Sequence, residues 1–473
     1  MQQVKYTFLQ ELVGCIPIFL IMVFNIITLG DVTNVAVVIP QSFLVLYFLF
    51  TGRTDKALFY HLIFYLCCIS SETSGMEHLY SYSRLKVLGP LNISDVNILL
   101  ILFLSLRNKR IRKYVLFEKL NKMYLYLFIS ASLIGLFGVV FLDYEFGKYV
   151  NKSLYLTFTI IHAFSILLND TCWFRKHVVD NVYRLLWCAS LSTSICFFVF
   201  GFTISHSGVD DLFVGPDVKY LSPILFFGLF EKNKAWILFG IFSYVALGFM
   251  ATSGKGYIIF FFTIVAFLYL LYKKRKQLNA STKIAIYTGC LFAAVIVIRI
   301  FFSIDFNNYA LAKQGQVISL FAGYENMANS PKVRVATLLN LIYIGLYNPI
   351  FLLFGHGYGG YFTDALHLFS TFDIGESAWP VEEMNSGKFT SAHDTFASVP
   401  LFNGLIGLYL IVKMTVRYLK VFEDCYLAFT AVIYLLLTFY FSFHIATMGV
   451  LFLYATDIML PKYYILNKKI VKL

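Results

Sequence analysis

The sequence predicts an all-α, polytopic integral membrane protein of about fourteen transmembrane helices with one large outer loop containing short helices. Three observations predict it. Hydrophobic residues make up 59% of the 473 positions and charged residues only 14%, with a mean hydropathy of +0.73, a balance that soluble cores cannot absorb. Apolar runs of about twenty residues, the length that crosses a bilayer as a helix, recur from end to end. The Lys and Arg residues fall with a strong bias on one side of those runs. Together these features exclude a nucleic-acid binder, a secreted disulfide scaffold and a single-anchor enzyme.

In chain order the apolar runs give spans at 9–29, 34–50, 57–72, 88–106, 123–142, 152–169, 183–203, 219–230, 235–252, 257–272, 283–303, 398–413, 425–442 and 445–460. The first is expected to be a retained helix. It is preceded only by Lys5, lacks a small-residue cleavage site and is followed at once by the next span. Residues 1–303 form a bundle of about eleven helices, 304–397 a large periplasmic loop, and 398–473 the C-terminal helices with a basic tail. An even number of spans returns both termini to the cytoplasm.

The formal net charge is +12, from 38 Lys and Arg against 26 Asp and Glu. On this map 27 of the 38 basic residues lie on cytoplasmic segments, including the run Arg107, Lys109, Arg110, Arg112 and Lys113, so topology accounts for most of the charge. Segment 335–354 is apolar enough to be a further span, but that would place Lys413, Arg417, Lys420 and the basic tail outside. It is therefore expected to lie in or dip into the outer interface, interrupted at Asn340 and at Asn348-Pro349.

Loop 304–397 carries a net charge of −4. A loop of this length inside a membrane bundle is functional or disordered, and its aromatic and Gly content favours a folded cap over an outward-facing cavity. The eight cysteines are scattered without metal-ligand spacing and read as buried small hydrophobes. No internal repeat supports an inverted-repeat transporter.

Several residues stand out as candidates for chemistry. Arg334 lies where the chain re-enters an apolar stretch, and Gly345 follows eleven residues later, on nearly the same helical face and about 16 Å along it. An interfacial Arg snorkelling beside a packing glycine has the same signature. Gly355-His356-Gly357-Tyr358-Gly359-Gly360 permits positive φ and close backbone approach. It has neither the GxGxxG context nor the GK[ST] ending of a nucleotide loop, and a bare hinge fits it equally.

Ser391-Ala392-His393-Asp394-Thr395 closes the loop. A histidine at the outer boundary can act as a general base near neutral pH, although an isolated loop histidine is the plainer alternative. Lys255, in Ser253-Gly254-Lys255-Gly256, reads as the only charge in a tight outer turn, and cations at membrane depth commonly bind anions. Arg299 reads as a snorkelling cation. His61, His162, His367 and His444 show no constellation in the sequence.

Taken in order, the cationic turn at Lys255, the Arg-x10-Gly element, the glycine stretch and the His-Asp-Thr leading into Asn403-Gly404-Leu405-Ile406-Gly407-Leu408 resemble the O-antigen polymerase and ligase superfamily, the Wzy-type polymerases and WaaL-type ligases. The resemblance covers residues 250–412, and the first half of the chain matches in hydropathy only. It implies a GT-C-like membrane glycosyltransferase: metal-independent inverting glycosyl transfer on the outer face of the bacterial cytoplasmic (inner) membrane, with no cofactor. The donor and the acceptor would both be polyprenyl-diphosphate-linked oligosaccharides.

By that resemblance His393 is the base that activates the acceptor hydroxyl, and Arg334 and Lys255 hold the diphosphate. Asp394, Gly345, Gly357, Tyr358 and Gly359 are supporting residues. A chain-length regulator and a flippase are the implied partners, besides membrane lipids. The chain departs from the family at two positions, with Lys255 where Arg is usual and Asp394 where Asn follows the histidine. Lys supplies charge without bidentate phosphate recognition, and Asp394 either orients a base or repels a phosphate. A ligase shares the same site logic, and a flippase for lipid-linked oligosaccharide is the alternative from a different class.

Overall fold

The computed structural model describes residues 8–28, 31–68, 80–89, 91–107, 116–199, 254–274, 276, 280–281, 283–284, 286–288, 291, 327, 329–371, 379–392, 395–422, 425–439 and 443–467. The expected spans 219–230 and 235–252, most of 283–303, the first part of the outer loop and the end of the basic tail lie outside the described residues.

The described chain is mostly helical, with one small hairpin. In order it forms α1 (Phe8–Ile27), α2 (Val35–Phe50), α3 (Thr54–Leu66), the strands β1 (Lys86–Leu88) and β2 (Leu91–Asn92), α4 (Ile93–Ser105), α5 (Phe117–Phe141), α6 (Phe146–Leu168) and α7 (Cys172–Phe198). Then follow α8 (Gly254–Lys274), α9 (Asn329–Tyr347), α10 (Pro349–Phe354), α11 (Val381–Ser386), α12 (Thr395–Val421), α13 (Cys425–Leu437) and α14 (Phe443–Asn467). Among the described residues, Val32–Phe50, Phe117–Phe141, Phe146–Leu168 and Phe396–Val421 are long and apolar enough to cross a membrane by length and composition. They carry exposed apolar side chains such as Phe43, Tyr47, Phe137 and Phe141, surface that a membrane interior would cover.

Local chemistry sets the ends. At α4, Asn92 and Asp95 form a reciprocal capping box, and the Asn92 amide donates to Asp95 Oδ2 at 3.0 Å. At α7, Thr171 Oγ1 accepts from the Phe174 amide at 3.0 Å. Several helices run past the apolar windows of the sequence. α5 begins at Phe117 rather than 123 and α6 at Phe146 rather than 152, and α7 covers Cys172–Phe198 rather than 183–203. Hydropathy sees only the apolar middle, whereas the backbone ladder continues through ends that carry Lys122 on Glu118 (2.8 Å) and Lys148 on Glu145 (3.3 Å).

One core joins the two halves of the sequence. α1 packs on α7, α3 on α4 and α7, and α14 on α3, α5, α6 and α7. Buried carboxylates hold α14 in place. Asp457 Oδ2 accepts the Phe117 amide at 3.1 Å, and Tyr454 donates to Asp170 at 2.6 Å, which also meets Arg175 Nε at 3.1 Å. Segment 335–354 breaks at Asn348-Pro349, between α9 and α10, as its sequence predicts. Asn340 does not interrupt α9, because its side chain donates back to Ala336 O at 3.1 Å and also meets Asp364 and the Leu366 amide.

Candidate functional site

The described part of the candidate region is a junction of α9, α10, α12 and the end of α5. α12 carries Pro400 and kinks at Gly404, which has φ 59°. Into that kink runs the glycine stretch. Gly355, Gly357 and Gly359 all have positive φ (78°, 71° and 80°), a region open to glycine at little cost. The His356 and Gly357 amides donate to Leu401 O (2.7 Å) and Phe402 O (3.2 Å) on α12, and the Tyr358 amide donates to Ala131 O (3.0 Å) on α5. Asn403 closes the triangle, donating to Leu127 O at 2.8 Å and Ser130 Oγ at 2.9 Å.

The close approach these glycines permit is to protein. A side chain at Gly355 or Gly404 would strike the backbone of the other's segment, and one at Gly357 would strike Gly135. A side chain at Gly359 would press on the backbone of Tyr149 on α6. Tyr358 is buried between Phe128 and Phe402. Gly345 abuts Leu352 of α10, so this member of the Arg-x10-Gly pair serves helix packing.

The segment after the glycines has its own small core. Phe362 and Phe389 pair through two backbone hydrogen bonds of 3.0 and 2.9 Å, and with Phe369 and Trp379 they form an aromatic cluster. Asp364 organises the turn. Its carboxylate accepts from the Leu368 and Phe369 amides (2.9 and 2.8 Å) and from Asn340 Nδ2 (2.9 Å), while Asn340 Oδ1 accepts the Leu366 amide at 2.9 Å. Buried Glu383 accepts from the Thr390 amide at 3.1 Å and from its hydroxyl. Trp379 Nε1 donates to Ser391 O at 2.9 Å, and Ser398 Oγ donates to Ala392 O at 3.1 Å.

Arg334 projects from α9, half-buried, with its Nε atom shielded from solvent. Its helix neighbours Val333 and Ala336 lie in the same core cluster as Ala392 and Ala397, which bracket His393 and Asp394 in sequence. His393 and Asp394 themselves lie outside the described residues. Lys255 is the second residue of α8 rather than part of a turn, because the helix starts at Gly254; its side chain also lies outside the described residues. α8 packs on α13.

A cavity of about 250 Å³ opens between α9, α10 and α12, lined by Leu341, Gly345, Phe351, Phe396, Pro400 and His356. His356 is its polar member. The ring stacks on Phe351 (centroids 4.3 Å apart), and Nδ1 lies 3.4 Å from the Tyr144 hydroxyl. Burial pushes the imidazole down to about 4, so it is neutral at neutral pH; burial, then Tyr361, pushes the Tyr144 phenol up to about 12.

Sequence reasoning passed over four of these residues. His356 and Asn403 lie inside quoted motifs, and Asn340 and Asp364 are separated by a loop, so only the fold pairs them. It also assigned nothing to His61 and His162, which the structure corrects: their Nε2 atoms lie 3.2 Å apart in the bundle interior. No sequence signal links two residues a hundred positions apart. No family model, no curated protein and no solved structure matches this chain.

Proposed function

We propose that this protein is a polysaccharide polymerase that joins polyprenyl-diphosphate-linked oligosaccharide repeat units on the outer face of the bacterial cytoplasmic membrane. The reading rests on the motif order from Lys255 to Leu408. It is supported by one structural observation: Val333 and Ala336, which flank Arg334 on its helix, belong to one buried cluster with Ala392 and Ala397. In this reading the chain crosses the membrane about fourteen times, both termini are cytoplasmic, and 304–397 is the outer loop.

The chemistry is inverting displacement without a cofactor. His393 takes the proton of the acceptor hydroxyl as its oxygen attacks the anomeric carbon of the donor. The diphosphate leaves from the opposite face, its developing charge held by Arg334 and Lys255. A flippase supplies the lipid-linked units, and a chain-length regulator limits the product.

Deleting the gene in its own host and comparing surface glycan with carrier-linked glycan tests the reading. A polymerase leaves single repeat units on the surface and no polymer on the carrier. Long polymer stranded on the carrier assigns the chain to the ligases, and lipid-linked units stranded on the inner face assign it to the flippases.

A further inference from the structure

A second polar cluster lies in the bundle, away from the junction. His61 on α3 and His162 on α6 are buried (0% and 1% exposed). Their Nε2 atoms are 3.2 Å apart and their ring centroids 5.4 Å apart, so the rings meet end to end. His61 Nδ1 lies 3.1 Å from the Tyr82 hydroxyl, which accepts from Asn97 Nδ2 at 2.9 Å. His162 Nδ1 lies 2.8 Å from Phe158 O.

These contacts fix the direction of every hydrogen. A carbonyl oxygen only accepts, so His162 carries its hydrogen on Nδ1 and accepts at Nε2. His61 therefore donates from Nε2 and, when neutral, accepts at Nδ1 from the Tyr82 hydroxyl. A tetrahedral metal ion would lie off the Nε2–Nε2 line, with its two imidazole bonds diverging, whereas these rings point at one another along that line.

We propose that this cluster is a proton-binding site of capacity one, shared between His61 and His162, and that loading it releases the Tyr82 segment. A proton from water forms a new N–H bond on His61 Nδ1, and no electrons move. The imidazolium then donates to His162 from Nε2 and to Tyr82 from Nδ1. Tyr82 now accepts from both His61 and Asn97, so its O–H bond, kept intact, must rotate away from His61. A second proton would set N–H against N–H across 3.2 Å.

The surroundings suit one delocalised charge. The Tyr65 ring stacks near both imidazoles, 5.7 Å from His61 and 5.2 Å from His162, where its face attracts a cation. The shared N–H···N bond strengthens once charged. Among the described residues, Cys68 lies near Tyr82, and beside it Cys67 neighbours Cys188, which meets Arg184 on α7. α4 supplies Asn97 and α2 supplies Ser42, neither of which titrates. α14 brings Tyr454 and Asp457, which are engaged by Asp170 and the Phe117 amide. Ionisable groups at membrane depth commonly mark proton sites.

Tyr82 is the movable part. It sits in the irregular segment of Ser81 to Arg84, buried although not helical, and leads into β1 and β2. α6 links this cluster to the candidate site, because its first turn holds Tyr149 against Gly359 while His162 lies further along it.

The test is hydrogen exchange by mass spectrometry on the full chain in lipid nanodiscs, reading the peptide over residues 80–85. Exchange is corrected for its chemical pH dependence. Protection of wild type is expected to fall by about tenfold or more between pH 8 and pH 4, and that response is expected to vanish in His61→Gln and His162→Gln. Equal protection of wild type at both pH values overturns the proposal, as does a wild-type response in His162→Gln. If the histidine variants do not fold, Tyr82→Phe decides: loss of the response supports the site, and a retained response overturns it. The outcome is independent of the glycosyl-transfer reading.

Discussion

Gly357 and Gly135 meet backbone to backbone, the point at which the glycine stretch crosses α5. Neither position has room for a methyl group. Gly357→Ala also forces an alanine to φ 71°, so it is expected to lose about 2–5 kcal/mol from left-handed strain and overpacking together. Gly135→Ala is expected to lose about 1–3 kcal/mol, from overpacking alone. Gly387, at φ 64° with open space around it, provides the strain-only control at about 1 kcal/mol. Thermal unfolding of the three purified variants ranks them, and equal losses would refute the crossing.

Asp364 and Asn340 carry the turn that follows. Asp364→Ala leaves two amides and the Asn340 side chain without their acceptor, a loss of about 1–3 kcal/mol. The damage is expected to stay local. Limited proteolysis should cut within 361–371 many times faster, and unchanged cutting would show that the carboxylate does not organise the turn.

His356 makes stability depend on pH. Its folded value of about 4 lies below the ordinary value for an unfolded histidine, so the unfolded chain binds the extra proton more readily. Stability is therefore complete above about pH 6.5 and falls as pH drops towards 4, by up to about 3 kcal/mol. His356→Phe keeps the stack on Phe351 and is expected to remove this part of the acid sensitivity. Melting temperatures of both proteins from pH 7.5 to 4 make the comparison, and parallel curves would refute it.

On the proposed polymerase reading, His393→Ala and Arg334→Ala are each expected to abolish polymer while the protein still inserts in the membrane. Glycan gels alongside membrane immunoblots report both properties. Polymer of wild-type length from either variant would remove the role assigned to that residue.

Much of the architecture was legible in the sequence because apolar runs and helical structure share one cause, the need to satisfy backbone hydrogen bonds where water is absent. The runs located α1 and α2 within two residues, the run 88–106 took in the β1–β2 hairpin ahead of α4, α12 and α14 continue eight and seven residues past theirs, and Asn348-Pro349 marked the break between α9 and α10. Helix ends were misplaced where charged side chains extend the ladder past the apolar window, as at Lys122 and Lys148.

By itself the sequence determined a mostly helical chain with membrane-spanning character, because hydropathy is a local property. Tertiary structure decided which side chains meet. It turned the glycine stretch into a backbone crossing between α5 and α12, set Asn340 on Asp364, and brought His61 on α3 to His162 on α6. Contacts of this kind arise from packing between segments distant in the chain, and no local pattern encodes them.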